Sequence, residues 1–351
     1  MKICENKFDK NFWLAVFSLV GTTIGAGIFS LPYVFAKAGF LIGFIEFIIL
    51  VGVVLLIQQM LGEITLRAED RKRLAGLTAG YLGSSWGNLV MMSVLLGGAG
   101  TLLIYIILGG NFFSLLTGLD IFWSSMIFFI FWFITILVRP KNFGKMEFYV
   151  SFSVIFIIIL IAAFNFGSVD FNNFRGFDLK NILLPYGVIL FAMTGYTVIP
   201  KMEDLLGADK HKLKKAIKYG TLIPAIVYLL FVFIVLGVSG GLTSPDAIFG
   251  FSQSLNSNFI MYAGALLGLL AVIGAAISYG IYFRETLWYD LKLNKNLAWL
   301  ITGIIPFSLF IFGVRDVIPV INIVGALFFG FQACVILLIY IKMRQSKVPV
   351  A

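Results

Sequence analysis

Apolar residues in this chain come in runs of roughly 20, end to end, divided by short polar or glycine-rich punctuation. A helix rises about 1.5 Å per residue, so each run is long enough to cross the roughly 30 Å hydrocarbon core of a bilayer. Read against the punctuation, the runs are 12–36, 40–62, 88–115, 121–138, 147–166, 181–201, 219–239, 258–284, 297–313 and 318–341. The pattern predicts an all-α integral membrane protein with ten transmembrane helices, spans 1 to 10 in chain order. Little chain is left between them. No Pro/Ser-rich linker or change of composition marks a second domain, so 1–351 is expected to be one transmembrane domain.

Composition agrees with the pattern. Hydrophobic residues make up 60% of the chain and charged residues 12%, against about 25% charged in soluble proteins. The charges alternate from loop to loop. With a cytoplasmic N-terminus, the inner loops hold 22 of the 26 Lys and Arg residues, and Lys37, Arg175, Lys180 and Arg315 are left outside. Cytoplasmic loops of membrane proteins carry such an excess, so both termini are expected in the cytoplasm, with the chain in the plasma (inner) membrane. The same asymmetry accounts for the net charge of +9 without a nucleic-acid partner. Cys4 lies outside the membrane and Cys334 inside the last span, so no disulfide is expected. The first apolar run is too long for a removable signal peptide and leads almost directly into a second span.

Ten spans divide into five and five, and an odd number per half sends the second half through the membrane upside down. The expected repeats cover about 12–166 and 181–341. The first helix of each is interrupted at mid-membrane, by Gly21-Thr-Thr-Ile-Gly-Ala-Gly27 in span 1 and by Ala192-Met-Thr-Gly-Tyr-Thr-Val-Ile-Pro200 in span 6. Each half also has a longer loop after its second span, 63–87 and 240–257. A helix broken inside a membrane exposes N–H and C=O groups that each cost several kcal/mol against lipid, roughly. Such a break survives where protein, water or ligand satisfies those groups. Freed N–H groups suit a carboxylate and freed carbonyls an ammonium or a metal cation; a zwitterionic amino acid offers both partners. Paired interruptions at matching positions point to a transporter's binding site. Close helix packing is the alternative use of such glycines.

Gly21-Thr-Thr-Ile-Gly-Ala-Gly-Ile-Phe-Ser-Leu-Pro32, followed by Ala38-Gly-Phe40, resembles the first helix of the amino acid–polyamine–organocation superfamily. It is most similar to the aromatic and hydroxy amino acid permeases and the amino acid/auxin permease family. Phe191-Ala-Met-Thr-Gly195 with Ile199-Pro200 and Glu203, Tyr105 with Gly109, and Ser278 through Asp290 agree. The resemblance implies a leucine-transporter-like fold, a 5+5 inverted repeat with discontinuous helices 1 and 6. In that fold a bundle of spans 1, 2, 6 and 7 rocks against spans 3, 4, 8 and 9. It further implies that backbone at Thr22, Thr23, Gly25, Ala26 and Gly27 holds the substrate carboxylate. Backbone from Phe191 through Ala192 and Met193 to Thr194 would hold the amino group. Met193, Thr194 and Tyr196 would lie near the side chain, with Gly195 of the substrate-binding stretch leaving room for it and Tyr105 lining the pocket from span 3. Members with a cation site gather hydroxyls in span 8, where this chain has Gly274, Ala275 and Ala276 and keeps Ser278. Other, proton-coupled members use a lysine in span 5, and none lies there. Na+ and H+ both stay open as coupling ion, and no cofactor or firm metal site is expected.

Glu46 lies inside span 2, and an intramembrane carboxylate is a candidate proton carrier; a structural pair with Lys37 is the competing reading. Glu203, at the inner end of span 6, is a gate candidate or a solvated helix end. His211 falls in the basic stretch Lys210–Lys218 and is expected at the surface. Trp86, Trp123 and Trp299 fall near span ends, as interfacial anchors do. Arg67–Arg73 is expected on the inner leaflet. A channel is disfavoured because no span carries a continuous polar face, and an enzyme because one histidine and two distant cysteines build no reactive cluster. The sequence therefore predicts a secondary active transporter of an amino acid, aromatic or large neutral, embedded in the lipid bilayer. An exchanger or a non-transporting amino-acid sensor on the same fold is the alternative. The small residues Gly97-Gly-Ala-Gly100 are expected either to leave room for a large cargo side chain or to serve packing.

Overall fold

The computed structural model describes residues 3–68, 73–138 and 143–345, with residues 3–9 and 143–148 as backbone alone. The helices are α1 (Ile3–Thr23), α2 (Gly27–Ala38), α3 (Phe40–Arg67), α4 (Leu74–Leu82), α5 (Ser84–Thr117), α6 (Ile121–Val138) and α7 (Phe143–Asn165). They continue as α8 (Leu184–Met193), α9 (Ile199–Leu206), α10 (Leu213–Ser239), α11 (Ile248–Ser254), α12 (Asn258–Glu285), α13 (Lys295–Ile311), α14 (Val317–Asn322) and α15 (Gly330–Gln345). A π-helix, Ile323–Phe329, joins α14 to α15. Pro185 and Pro200 stand in the first turns of α8 and α9, where a residue without an N–H removes no helical hydrogen bond. Of the charges counted above, Lys2, Arg71, Lys72, Arg139, Lys141 and Lys347 lie outside the described residues, as do Glu69, Asp70 and the side chains of Cys4, Lys7 and Lys145.

Seven helical stretches are long and apolar enough to cross a membrane, or eight when the bent pair Lys10–Thr23 and Gly27–Ala38 is taken as one. Ten were expected, and the difference has two sources. Leu184–Leu242 forms one continuous apolar stretch of 59 residues, although it contains α8, α9 and α10. The apolar helix α13 is only 17 residues long. Membrane embedding is visible on the surface. α3 exposes Leu41, Ile45, Ile48, Ile49, Val53 and Leu56, an apolar stripe that water would not tolerate on this scale but lipid accepts. Trp86 and Trp123 are exposed near the starts of α5 and α6. Trp299 instead stacks on Phe133 at 4.1 Å and donates to its carbonyl at 3.0 Å, pinning α13 to α6.

α5 is the central post. In its most apolar window 72% of the residues are buried, against 28% for α3. Its glycines permit this. A Cβ at Gly98 would lie 2.4 Å from the Phe283 ring, one at Gly109 2.4 Å from Phe128, and one at Gly110 1.9 Å from the Ser125 hydroxyl. At Gly97 and Gly100 the neighbours are Phe328 (2.9 Å) and Val324 (2.5 Å) of the π-helix. Protein side chains thus occupy the face of Gly97–Gly100, so the packing reading of these residues holds and no cargo space remains there. Arg284, counted among the inner-loop charges, is 1% exposed at the end of α12 and donates to the Ile136 carbonyl at 2.6 Å.

The halves correspond in their element order. Each opens with an interrupted helix, follows it with a long one, and inserts a short helix before the next: α4 in the first half and α11 in the second. The loop carrying α11 reaches back to the first interrupted helix, where the Ser30 hydroxyl donates to the Pro245 carbonyl at 3.3 Å.

Candidate functional site

α1 stops at Thr23, α2 starts at Gly27, and the axes differ by 55°. A helix end leaves four backbone groups without intrahelical partners. No side chain caps α2 at Ala26; the Phe29 amide donates to the Ala26 carbonyl at 3.3 Å, and of the first-turn residues Gly27 lies on the cavity wall. The Thr23 carbonyl accepts a hydrogen bond from the Tyr228 hydroxyl at 2.6 Å. α8 ends at Met193, Thr194 and Gly195 are non-helical, and a 3-10 turn over Tyr196–Val198 leads into α9. Three of the last four carbonyls of α8 have a side-chain donor within reach, and two of them receive its proton. Thr194 donates to Leu190, Tyr228 approaches Ala192 at 3.3 Å, and Gln58 Nε2 donates to Met193 at 3.3 Å. Tyr228 has one hydroxyl proton, and the shorter contact to Thr23 claims it. The Phe191 carbonyl accepts from no side chain among the described residues, and Phe191 faces the cavity.

The two interruptions touch. A Cβ on Gly27 would lie 2.6 Å from Ala192 Cα, and one on Gly195 would lie 2.6 Å from Thr23 Oγ1. Between them lies a narrow cavity of about 40 Å³, well below the range of about 300–1,000 Å³ common to small-molecule sites, so its walls must part to admit an amino acid. Thr22, Thr23, Gly25, Ala26 and Gly27 line it from the first interruption, and Phe191, Ala192, Thr194 and Tyr196 from the second. Tyr105 lines it from α5. Met193 and Gly195 do not. The Met193 side chain is fully buried in the core, and Gly195 serves by lacking a side chain where Leu19 and Thr23 press in. Four lining residues were missed from sequence: Thr101, Thr197, Tyr279 and Phe329. All lie in apolar surroundings where one more hydroxyl or ring gives no periodic signal.

No charged side chain lines the cavity, so a zwitterion there would meet backbone dipoles and hydroxyls. Thr23 Oγ1 is buried without a hydrogen-bond partner beside this space. The walls are aromatic. Phe191 and Phe329 are near-parallel at 5.9 Å and 9°, Tyr196 meets Phe329 edge-on at 6.1 Å, and Tyr105 meets Tyr279 at 6.4 Å.

The coupling and gate candidates lie apart. Ser278 is not on the cavity wall, whereas its neighbour Tyr279 is. Glu46 Oε2 is buried with no hydrogen-bond partner. The pairing with Lys37 does not form among the described residues; Lys37 lies over the Tyr33 ring at 5.4 Å. Glu203 accepts from Lys210 at 2.6 Å, a pair made with its own following loop. His211 is exposed. Among the described residues no group of three or more His, Cys, Asp or Glu could hold a metal ion.

The fold has solved relatives. MhsT, in complex with L-phenylalanine, superposes with a TM-score of 0.69 at 14% identity, covering 93% of this chain and 88% of that one. Mhp1, a nucleobase-cation-symport-1 family transporter solved in a closed conformation with bromovinylhydantoin bound, gives 0.64 at 11% identity, covering 97% and 80%. At these identities the likeness is one of fold. No curated protein matches the sequence. Residues 9–349, nearly the whole chain, match the tryptophan/tyrosine permease family, and the chain belongs to that family.

Proposed function

We propose that this permease is a secondary active transporter of an aromatic amino acid, working by alternating access and driven by a proton or sodium gradient. A permease moves its solute unchanged, and amino acid transport is the family's work. The observation that carries the finer reading is the neutral, aromatic-walled cavity between two interrupted helices. The start of α2, with Gly27 on the cavity wall, receives the carboxylate. The Phe191 carbonyl and the Thr23 hydroxyl face the ammonium. The side chain lies among Tyr105, Tyr279, Phe191 and Phe329. MhsT, of the same fold, was solved with L-phenylalanine, which supports an aromatic cargo here.

The same reading takes the chain as ten spans. α8–α9 and α10 are separate crossings, α13 is a short one, and the bent pair α1–α2 counts once. These form two inverted repeats, about 12–166 and 181–341, in one domain of the plasma membrane. The excess of Lys and Arg on one side puts both termini in the cytoplasm. Glu46, with a buried oxygen lacking a partner, is the candidate proton carrier, and Ser278 remains the hydroxyl candidate for a cation.

Uptake of labelled amino acids into proteoliposomes tests this under an imposed pH gradient and then an imposed sodium gradient. Accumulation of tryptophan or tyrosine under one gradient is expected, with exchange alone marking an antiporter. No flux of any amino acid in vesicles holding folded protein would sink the transporter reading and favour a sensor. If protons drive uptake, Glu46→Gln should abolish the response to pH while sparing exchange; an unchanged response makes Glu46 structural.

A further inference from the structure

The last membrane segment is not a plain helix. Its π-helical stretch, Ile323–Phe329, widens the turn and shifts the residues after it around the axis relative to α-helical register. Both sides of the stretch are clamped. A Cβ on Gly325 would lie 1.9 Å from the Gly187 carbonyl, and one on Gly187 2.4 Å from Asn322 Oδ1, so backbone meets backbone at α8. On the other side Val324 and Phe328 fill the faces of Gly100 and Gly97 on α5. A buried polar link holds the widened turn: Ser93 donates to the Phe328 carbonyl at 3.3 Å, and Gln332 donates to Ser93 at 3.1 Å. The last residue of the stretch, Phe329, is 7% exposed and reaches the cavity. There its ring stands near-parallel to Phe191 at 5.9 Å and receives Tyr196 edge-on.

We infer that Phe329 is a specificity-determining residue of the permease, and that the π-helix exists to hold its ring against the cargo's side chain. The inference rests on the cavity being the amino-acid site. Two near-parallel rings, one from α8 and one from the last segment, form an aromatic wall. A planar aromatic side chain can lie offset against such a wall or meet it edge-on, a gain beyond buried area that a branched aliphatic one lacks. The wall also joins the interrupted helix to α5 through the clamped stretch, so the ring's position follows the backbone of both.

The test compares uptake of tryptophan, tyrosine and leucine by the full-length protein in proteoliposomes. Phe329→Leu should lower the preference for the aromatic amino acids over leucine by roughly fivefold, the worth of a ring–ring contact. Phe329→Tyr should keep the preference. Phe328→Leu, one residue away but packed on Gly97, should leave the ratio unchanged. Phe329→Met repeats the test if Phe329→Leu fails to reach the membrane folded. A ratio unchanged in both ringless variants, with all uptakes lowered equally, would mean a packing role and overturn the inference. So would an equal shift of the ratio in Phe328→Leu. Wild-type protein that imports leucine but neither aromatic amino acid sinks the proposed cargo, and this inference with it. A wild type that imports aromatics while the ratio stays fixed sinks the inference alone.

Discussion

Gln58 is a polar residue in a helix built mostly of Leu, Val and Ile, and at 1% exposure its amide must find partners inside the protein. It finds two on different elements. Nε2 donates to the Met193 carbonyl at the end of α8, and Oε1 accepts from the Thr221 hydroxyl of α10 at 2.6 Å. The amide orientation is therefore set by α10 and used at the interruption. Gln58→Leu keeps an apolar volume but strands the Met193 carbonyl, which costs about 1–3 kcal/mol in a buried site. Thr221→Val removes the orienting hydroxyl and leaves the Gln58 donor in place, so the expected cost is smaller, about 1 kcal/mol. Thermal unfolding of both variants in detergent, paired with uptake, orders them: Gln58→Leu should lose more in each. Equal stability and uptake in Gln58→Leu and wild type would show that the interruption at Met193 does not need this donor. Tyr228 plays the matching part for Thr23, which makes α3 and α10 the suppliers of the partners that the two broken helices lack.

At the scale of elements, the two interrupted helices press backbone to backbone where Gly27 faces Ala192. The obstructing atom is backbone, since Ala192 Cα stands 2.6 Å from where a Cβ would be. A flexible side chain could yield there; a helix cannot without moving. Gly27→Ala should therefore push α2 from α8, with an overpacking cost of about 1–3 kcal/mol and a loss of uptake larger than the loss of stability implies. Gly52→Ala, on an exposed face of α3 with nothing within 4 Å of the new methyl, is the control and should be neutral or slightly stabilising. If both variants transport alike, the contact between the breaks is not needed for function. These interruptions were legible because a glycine cluster and a Gly–Pro pair inside apolar runs break a rule that lipid otherwise enforces. The Gly21–Gly27 motif located the first break, although Gly21 itself remains inside α1 and the chain leaves the helix only after Thr23. Tyr279 and Phe329 were not legible. α12 is apolar around its whole circumference, so nothing in its sequence favours Tyr279 over Ser278 as the residue on the cavity side. The π-turn that carries Phe329 shifts register without a residue signature. Gly97–Gly100 marked a close approach, but sequence gave no means of telling cargo from the Phe328, Val324 and Phe283 side chains that make it.

Across the whole molecule, the described ion pairs join segments assigned to the basic, inner face. Glu63 gathers Arg67 at 2.9 Å, Arg344 at 3.3 Å and the Tyr340 hydroxyl at 3.1 Å, linking α3 to α15. Arg73 reaches from the start of α4 to Asp290 at 3.2 Å and Glu285 at 3.4 Å, with its guanidinium also over the rings of Tyr282 and Tyr289. That contact joins the first half of the chain to the end of α12 and the turn that follows it in the second, beginning about two turns beyond Tyr279 of the cavity wall. In the proposed alternating-access cycle this end opens and closes, so bonds that form across it when closed would set the balance between the two states. Each Arg73 pair is partly exposed and worth about 0.2–1 kcal/mol. Together they shift the equilibrium by on the order of 1 kcal/mol, about fivefold in population. Arg73→Glu removes both attractions and sets three carboxylates against one another, so the inner face should open more often. A cysteine placed at Thr197 on the cavity wall, with Cys4 and Cys334 replaced by serine, reports this through its labelling rate from the Arg73 side. The rate should rise at least fivefold in Arg73→Glu, and it should rise in the parent protein as salt screens the pairs. Labelling that ignores both the charge reversal and the salt would mean that apolar packing alone closes this end, leaving the Arg73 contacts with no part in the transport cycle.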